Sequence, residues 1–289
     1  MNYTESVTTN ANNLSLPKDY LKGICFDKNT VPDNILCFTH TIKDGLNPET
    51  AHFRYCHHRF LFIYILEGTG ILAVDEGYHF LKPGDCYVIF PHQIHFFPNV
   101  SPDSKWLFVT FERSPDRLDS IKDVIKMPTD SCLKRINKTL RHFQNGKNSV
   151  LPLINSVQHL LTELTLSPDA DTIIPQEWRE SFKLKEKIDQ HVRENIVGDL
   201  SIKALAEVVG LSTNYFNSHF KSRFGISPGQ YIRLQRISNA TKLLRDTDES
   251  VEEVGKLSGF DSTVAFVRCF KLIMGKPPGK YRQTVLNTQ

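Results

Sequence analysis

An internal repeat in the last third of the chain constrains its fold more than any other feature. The segment from Leu200 to Arg282 contains two copies of one pattern, the first centred on Gly210 and the second on Gly259. Further landmarks of the first copy recur in the second at a constant offset: Phe216, Phe220, Lys221, Gly225, Pro228, Gly229 and Tyr231 correspond to Phe266, Phe270, Lys271, Gly275, Pro278, Gly279 and Tyr281. The repeat predicts two helical units of the same fold.

Each unit has the pattern of a helix, a glycine turn and a second helix. Before the glycine, apolar residues recur at spacings of three and four, as one helix face requires. They are Ile202, Leu205, Ala206 and Val208 in the first copy and Val251, Val254, Gly255 and Leu257 in the second. Ser212 and Asp261 follow the two turns, and we expect their side chains to cap the second helices.

The second helix of the first unit has an apolar and a polar face. Phe216 and Phe220 are four residues apart and predict the buried face. The other face carries short polar and basic groups: Asn214, Asn217, Ser218 and Lys221. Such groups suit base edges and phosphates. For a single copy, an ordinary helical hairpin with a solvated face is an equal alternative, and the second copy weakens that alternative.

From about Leu184 to Arg282, including the closing GKPPGKYR, the chain resembles the tandem helix-turn-helix domain of the AraC/XylS family of bacterial transcription regulators. In that family the second helix of each unit enters the major groove of double-stranded DNA. The resemblance therefore implies DNA contacts from Asn214, Asn217, Ser218 and Lys221, and from Thr263, Val264, Val267, Arg268 and Lys271.

The second copy departs from the family pattern in two ways. Gly255 stands where the family usually has alanine, which costs helix stability of ~1 kcal/mol. Val264 and Val267 offer only apolar contact, for instance to a thymine methyl group. We therefore expect the first copy to carry more of the sequence discrimination, with Arg268 as the exception in the second.

Charge is distributed unevenly along the chain. From Lys183 to Gln289 there are 17 Lys and Arg against 11 Asp and Glu, a net charge of +6, whereas the preceding part has a net charge of −3. A basic C-terminal part fits a nucleic-acid partner.

The cysteines and the apolar runs bear on location. The six cysteines show no CxxC spacing and are interpreted as reduced thiols of a cytosolic protein. The longest apolar run, Phe60 to Leu66, has seven residues, too few to span a bilayer, and the polar N-terminus lacks the pattern of a signal peptide. We expect a cytoplasmic protein with no membrane partner, associated with the bacterial nucleoid when bound to DNA.

The N-terminal part has the pattern of an all-β domain. Residues 1–16 are rich in Asn, Ser and Thr and predict a flexible arm. Residues 17–128 contain short apolar runs between Gly, Pro, Asp and Asn turns, which are typical of a sandwich or barrel. Their order resembles a cupin barrel, the usual sensor domain of AraC-type regulators, on these residues: Gly68, Gly70, Pro83, Gly84, Asp85, Pro91 and His95.

Residues 129–166 change to a helical period. The stronger apolar stripe runs from Val150 to Leu164 and fits either packing against the barrel or an intersubunit helix pair. The resemblance implies the second, because family members with a cupin sensor commonly dimerise through such helices. Residues 167–177 are interpreted as a linker and 178–289 as the DNA-binding domain.

The histidines of the barrel raise the question of a metal-dependent enzyme. Metal-dependent cupins use several histidines and a glutamate. Here His57 and His58 are adjacent, so a strand would send them to opposite faces, and Leu61 stands where the resemblance would place the glutamate. One inward histidine there and His95 on a later strand are too few ligands. We therefore expect neither a metal nor another cofactor and no catalytic residues.

A pocket for a small polar molecule is the competing interpretation of the barrel. Trp106 and Phe108 fall on one strand face and could stack on a sugar-like ring. The groups that could hydrogen-bond to it are Arg54, His57, Arg59 and His95. Carbohydrate is a family-level expectation only, and for any one aromatic residue plain core packing is the simpler role.

These observations predict an α+β chain with an N-terminal all-β cupin-like barrel, a helical dimerisation segment and a C-terminal all-α domain with two helix-turn-helix units. Its function would be sequence-specific DNA binding by a homodimeric transcription regulator that responds to a ligand, and that contacts RNA polymerase if it activates. The alternative is a metal-dependent cupin enzyme, an isomerase or dioxygenase, whose C-terminal repeat is a helical interaction module.

Overall fold

The computed structural model describes residues 3–16, 32–42, 59–75, 77–113, 118–171 and 175–286. Within these ranges seven strands form the β part: β1 (Asp33–Ile42), β2 (Phe60–Glu67), β3 (Gly70–Val74), β4 (Gly77–Leu81), β5 (Cys86–Ile89), β6 (His95–Val100) and β7 (Ser104–Glu112). They make two antiparallel sheets, in the orders β1-β7-β2-β5 and β4-β3-β6. This confirms the all-β N-terminal domain.

The inner faces of the two sheets enclose an apolar core. Alternation along the strands places Ile63 and Ile65 of β2 and Trp106 and Phe108 of β7 in this core, together with Leu72 of β3. Phe108 stacks on a phenylalanine of β1 and also contacts one of β6. Trp106 and Phe108 therefore share the inner face, as the sequence predicted.

The outer face of the four-stranded sheet is covered by helices α2 (Asp130–Gln144) and α3 (Val150–Leu166). Leu153, Val157, Leu160 and Leu164 of α3 are each at most 1% exposed in this single chain. The expectation that this stripe forms an exposed intersubunit surface was wrong, because the sheet of the same chain already covers it. The alternative interpretation, packing against the barrel, is the one observed.

The N-terminal segment is also part of this helical layer. Residues Tyr3–Ala11 form a helix, α1, that packs on α2 and buries Val7 and Ala11 completely. Asn137 of α2 joins it by hydrogen bonds to Ser6 and Asn10. A packed helix therefore stands where the composition predicted a flexible arm, because two apolar side chains four residues apart suffice to seat it.

The C-terminal part is all-α, as predicted. Its helices are α4 (Gln176–Glu194), α5 (Ile202–Val208), α6 (Thr213–Phe224), α7 (Pro228–Asp246), α8 (Val251–Leu257), α9 (Thr263–Met274) and α10 (Pro278–Leu286). No helix among the described residues is both long and apolar enough to cross a bilayer.

The two repeat units have matching boundaries. Gly225 ends α6 and Gly275 ends α9, with φ angles of 73° and 74°, a left-handed conformation that favours glycine. Ser212 caps α6 as expected, whereas Ser262 and not Asp261 caps α9 by accepting a hydrogen bond from the amide of Ala265. The insertion between the copies therefore lies one residue earlier than the cap assignment assumed.

The sensor sheet β4-β3-β6 packs against the helical domain through its outer face. Tyr78 of β4 makes edge contacts with the rings of Phe182 in α4 and Phe224 in α6. Ile94, just before β6, is buried in the core of the helical domain. We call this contact the seam.

Candidate DNA interface and sensor interior

Helix α6 presents a polar face to solvent. Its three phenylalanines, at 216, 220 and 224, are fully buried in the core of the helical domain. The four residues predicted to contact DNA, Asn214, Asn217, Ser218 and Lys221, are all exposed. Burial of these three phenylalanines, spaced four residues apart, turns the predicted face outward.

Within this face the polar groups differ in availability. Ser218 donates its hydroxyl to the backbone carbonyls of Asn214 and Tyr215, each at 3.1 Å. Among the described residues, the side-chain amides of Asn214 and Asn217 have no intramolecular partner. These two amides are therefore better placed than Ser218 to make bidentate bonds to a base.

Sequence reasoning missed Tyr215 on the same helix. Its side chain is 55% exposed and its ring stacks on His219, with centroids 5.3 Å apart and an interplanar angle of 16°. The sequence did contain a signal for it: residue 215 lies beside Asn214 and four residues before His219, away from the stripe of phenylalanines.

Helix α9 repeats the geometry of α6 with other side chains. Thr263, Val264, Arg268 and Lys271 are exposed, and Val264 is 79% exposed. Val267 is half-buried and packs against the core of the helical domain, so it lies at the margin of the exposed face. Leu272, which sequence reasoning missed, is 83% exposed and lies eight residues after Val264 on the same side.

The seam leaves both exposed faces open. The sensor meets α6 at its C-terminal end, where Pro98 lies against Gly225. A second contact joins His92 of the sensor to Tyr281 of α10, with ring centroids 5.0 Å apart. Apart from the half-buried Val267, the residues predicted to contact DNA remain exposed in the presence of the sensor.

A buried ion pair lies under the seam. Lys185 and Asp189 of α4 form an ion pair, and Tyr231 of α7 donates a hydrogen bond to the same carboxylate. The Lys185 ammonium group lies 3.9 Å from the ring centroid of Tyr231 and 4.7 Å from that of Tyr78, the sensor residue. Burial raises the pKa of the Asp189 carboxyl group, which Lys185 partly offsets.

The predicted ligand residues of the sensor do not form one cluster. Trp106 pairs with Ile65 at one end of β2, whereas Arg59 precedes Phe60 at the other end, roughly 20 Å away at the rise of a strand. Arg59 is buried and donates to Thr110 at 2.7 Å, with Glu112 3.8 Å away. Its guanidinium group is thus engaged within the chain.

His95 is buried and its Nδ1 atom lies 3.0 Å from the carbonyl oxygen of Gln93. Burial lowers its pKa to about 4, so the imidazole is neutral at pH 7. Arg54 and His57, the other predicted ligand residues, lie outside the described residues, as does His58. No group of three or more His, Cys, Asp or Glu residues that could hold a metal ion occurs among those that are described.

A polar pair near the middle of the interior was missed by sequence reasoning. Tyr87 and His79 are joined by a hydrogen bond of 3.0 Å between the hydroxyl and Nε2. Tyr87 pairs with Ile63, which in turn pairs with Phe108, so this polar pair lies on the same inner face, two strands away from Phe108. Burial lowers the pKa of His79 to about 4 as well. The alternation of His79 with Leu81 on one strand face was its sequence signal.

Trp106 carries a buried donor without an acceptor. The residue is fully buried, and within the described parts of the chain no acceptor lies in hydrogen-bond reach of its Nε1 atom. Gly70 permits this position, because a Cβ atom there would lie 2.5 Å from the indole ring. A buried donor of this kind usually has a partner.

Two family models match the chain, each over one of these regions. Residues 45–165 match "AraC-like ligand binding domain" and residues 205–284 match "Helix-turn-helix domain". The first range covers β2–β7 with α2 and all but the last residue of α3, and the second covers both repeat units from Leu205 onward.

Curated relatives match either most of the chain or a smaller part of it. The MmsAB operon regulatory protein of Pseudomonas aeruginosa is 27% identical over 79% of this chain and 76% of its own length. The multiple antibiotic resistance protein MarA of Escherichia coli is 31% identical over 32% of this chain and 73% of its own. The uncharacterised regulator YobQ of Bacillus subtilis is 30% identical over 46% of this chain. The matched part covers little more than half (57%) of the length of YobQ.

Proposed function

Because the chain belongs to the AraC/XylS family of DNA-binding transcription regulators, we propose that α6 and α9 are its two reading helices, inserted into successive segments of the major groove. The observation that carries this proposal is that α6 and α9, two helices with matching boundaries, each expose one face to solvent. No carboxylate occurs on either helix. Acidic groups there would repel phosphate.

Footprinting on the operator tests this assignment. Two reading helices on one face of the duplex should protect two segments about one helical turn, roughly 34 Å, apart. A single short protected segment would contradict it. Lys138→Gln, on the exposed side of α2 in the sensor, is the control for a lost positive charge far from the reading helices.

We further propose that the sensor interior binds a small uncharged molecule with polar groups, for which a carbohydrate is one candidate class. His79 and His95 are neutral at pH 7, and the one described arginine of the interior, Arg59, is engaged with Glu112. Trp106 offers an unused donor in the same interior core as Phe108. A neutral ligand with an acceptor therefore fits these groups better than an anion.

A thermal-shift screen of neutral and anionic compounds tests the ligand proposal. Trp106→Ala is unsuitable, because loss of a fully buried tryptophan costs about 3–5 kcal/mol of stability. Trp106→Phe keeps a six-membered aromatic ring in place and removes the donor with the smaller ring, so it should reduce the shift while the unliganded protein still folds. Phe108→Leu is the control for altered aromatic packing. A screen in which only anions raise the melting temperature would contradict the proposal.

The seam suggests how ligand binding in the sensor would change the position of groups in the DNA-binding domain. Tyr78 and His79 are consecutive on β4, so one faces the helical domain and the other faces the interior. A ligand that shifts His79 would shift Tyr78 over Lys185. Tyr78→Ala should therefore make DNA affinity independent of ligand while ligand binding persists. A variant with full ligand response would exclude this route.

Assembly and location complete the proposal. Because the Leu153 to Leu164 stripe is buried, dimerisation would use the exposed side of α3, which carries Leu151 and Leu166 at 58% and 75% exposure. Leu151→Glu with Leu166→Glu should give folded monomers in sedimentation, whereas Leu153→Glu would unfold the sensor. The protein would act in the cytoplasm without catalysis, and would contact RNA polymerase if it activates.

A further inference from the structure

A groove of about 370 Å³ lies beside α6, between that helix and α4. One wall is a face of α4 on which Glu180, Lys183 and Lys187 recur at spacings of three and four. The other wall is formed by His219 and Arg223, one turn apart on α6. The groove lies outside the set of residues assigned to base reading.

The charge of the groove is positive. Lys183 pairs with Glu180 at 3.3 Å, and both side chains are exposed, so this pair is weak. Among the described residues, Lys187 and Arg223 have no carboxylate partner. Two uncompensated cations next to a histidine favour an anionic occupant.

The guanidinium group of Arg223 is held in place before any ligand binds. Its Cζ atom lies 5.3 Å from the ring centroid of Trp178, a residue that is 6% exposed. Stacking on a fixed ring reduces the freedom that the side chain would lose on binding a phosphate. The groove is therefore better organised than a cluster of solvated lysines.

The position of the groove around α6 indicates what it would bind. At 3.6 residues per turn, Arg223 lies roughly 140° around the helix from Ser218 in one direction, and Lys221 lies roughly 60° away in the other. Arg223 and the groove thus flank the polar face on one side, beyond His219, while Lys221 lies within that face between Asn214 and Asn217. A helix in the major groove, which is about 12 Å wide, lies between two phosphate backbones.

We propose that this groove holds the sugar–phosphate backbone of the DNA strand on that side of α6, with Lys187 and Arg223 as phosphate contacts. The inference rests on the proposed placement of α6 in the major groove and adds α4 to the DNA-binding surface. Phosphate contacts fix the register of a reading helix and carry no sequence information. The groove therefore sets affinity and salt dependence, while Asn214 and Asn217 set preference.

The test measures DNA affinity against salt concentration for full-length Lys187→Gln, Arg223→Gln and the double variant. Each lost phosphate contact lowers the slope of log affinity against log salt by about 0.9, so the double variant should lose about 1.8. Between 50 and 200 mM salt its affinity should consequently fall roughly 12-fold less than that of the wild type. Operator and scrambled DNA should be weakened alike.

Three controls make the result decisive. Arg223→Lys retains the charge and should retain the slope, and Lys138→Gln, on the sensor, should leave the slope unchanged. Asn214→Ala should reduce the preference for operator with little change in slope. Equal melting temperatures would show that the variants remain folded, as expected for side chains at the surface.

An unchanged slope in the double variant, with Asn214→Ala still losing operator preference, would overturn the groove proposal and leave α6 as a reading helix. If Asn214→Ala also had no effect, the placement of α6 would itself fail. Stabilisation by inorganic phosphate that is lost in the double variant, with an unchanged DNA slope, would instead assign the groove to a small anion and overturn the proposal.

Discussion

The two repeat units share the same helix boundaries and caps but differ in the chemistry of their exposed faces. Both second helices start at a serine cap, bury two phenylalanines four residues apart and end at a left-handed glycine. Yet α6 exposes Asn214 and Ser222 where α9 exposes Val264 and Leu272. Core and cap positions are thus held constant while the surface varies, so fold and recognition are separable in this domain.

The largest effect should come from the shared core. Phe216→Ala and Phe266→Ala remove corresponding, fully buried rings, and each should lower the free energy of unfolding by about 3–5 kcal/mol. Both rings belong to one continuous core, so either loss should weaken the whole helical domain. The measurement is urea unfolding followed by tryptophan fluorescence.

The chain has two tryptophans, so a Trp106→Phe background leaves Trp178 of α4 as the reporter for the helical domain. Unfolding in two separate steps, or a much smaller loss in one unit, would show that the units are not equivalent in their cores.

The next effect concerns base recognition. Asn214→Ala or Asn217→Ala should cost about 1–3 kcal/mol of preference for the correct half-site, because an amide makes bidentate bonds to adenine. Val264→Ala removes only apolar contact and should cost less than about 1 kcal/mol. Arg268→Ala should resemble the α6 variants if it pairs with guanine. Binding to operators with either half-site scrambled provides the measurement, and equal losses from both halves would contradict the asymmetry.

A smaller effect should be common to the two units. Lys221 and Lys271 occupy corresponding exposed positions. If each meets a phosphate, Lys221→Ala and Lys271→Ala should lower the salt slope by about one unit each and weaken all sequences alike. Titrations at several salt concentrations would detect this. A slope change for one lysine alone would mean that the two helices do not sit equally deep in the groove.

The repeat allowed most of the helical domain to be predicted, because matched glycines and phenylalanines fix turns and buried faces at once. From the residue pattern alone the sensor was predicted only as a sandwich or barrel, and the resemblance added that the barrel is cupin-like. Strand alternation placed Trp106 and Phe108 on one face, but it could not place Arg59 at the far end, since that depends on the register between β2 and β7. The surface that covers the α3 stripe was predicted wrongly, because an apolar helix face does not reveal which surface covers it.

The smallest effect tests why the second unit has a glycine where the first has Ala206. By helix propensity alone, Gly255→Ala should stabilise the protein by about 1 kcal/mol. However, a Cβ atom at residue 255 would lie 3.0 Å from the Phe266 ring, which packs against Phe260 and Phe270 at centroid distances of 5.2 and 5.6 Å. Because that ring has little room to move, we expect overpacking to cancel the gain, leaving a net change below about 1 kcal/mol.

In a Phe266→Leu background the same substitution should become stabilising, and urea unfolding of the four proteins gives the coupling. Full stabilisation by Gly255→Ala in the wild-type background would show that the close approach of Phe266 does not require glycine.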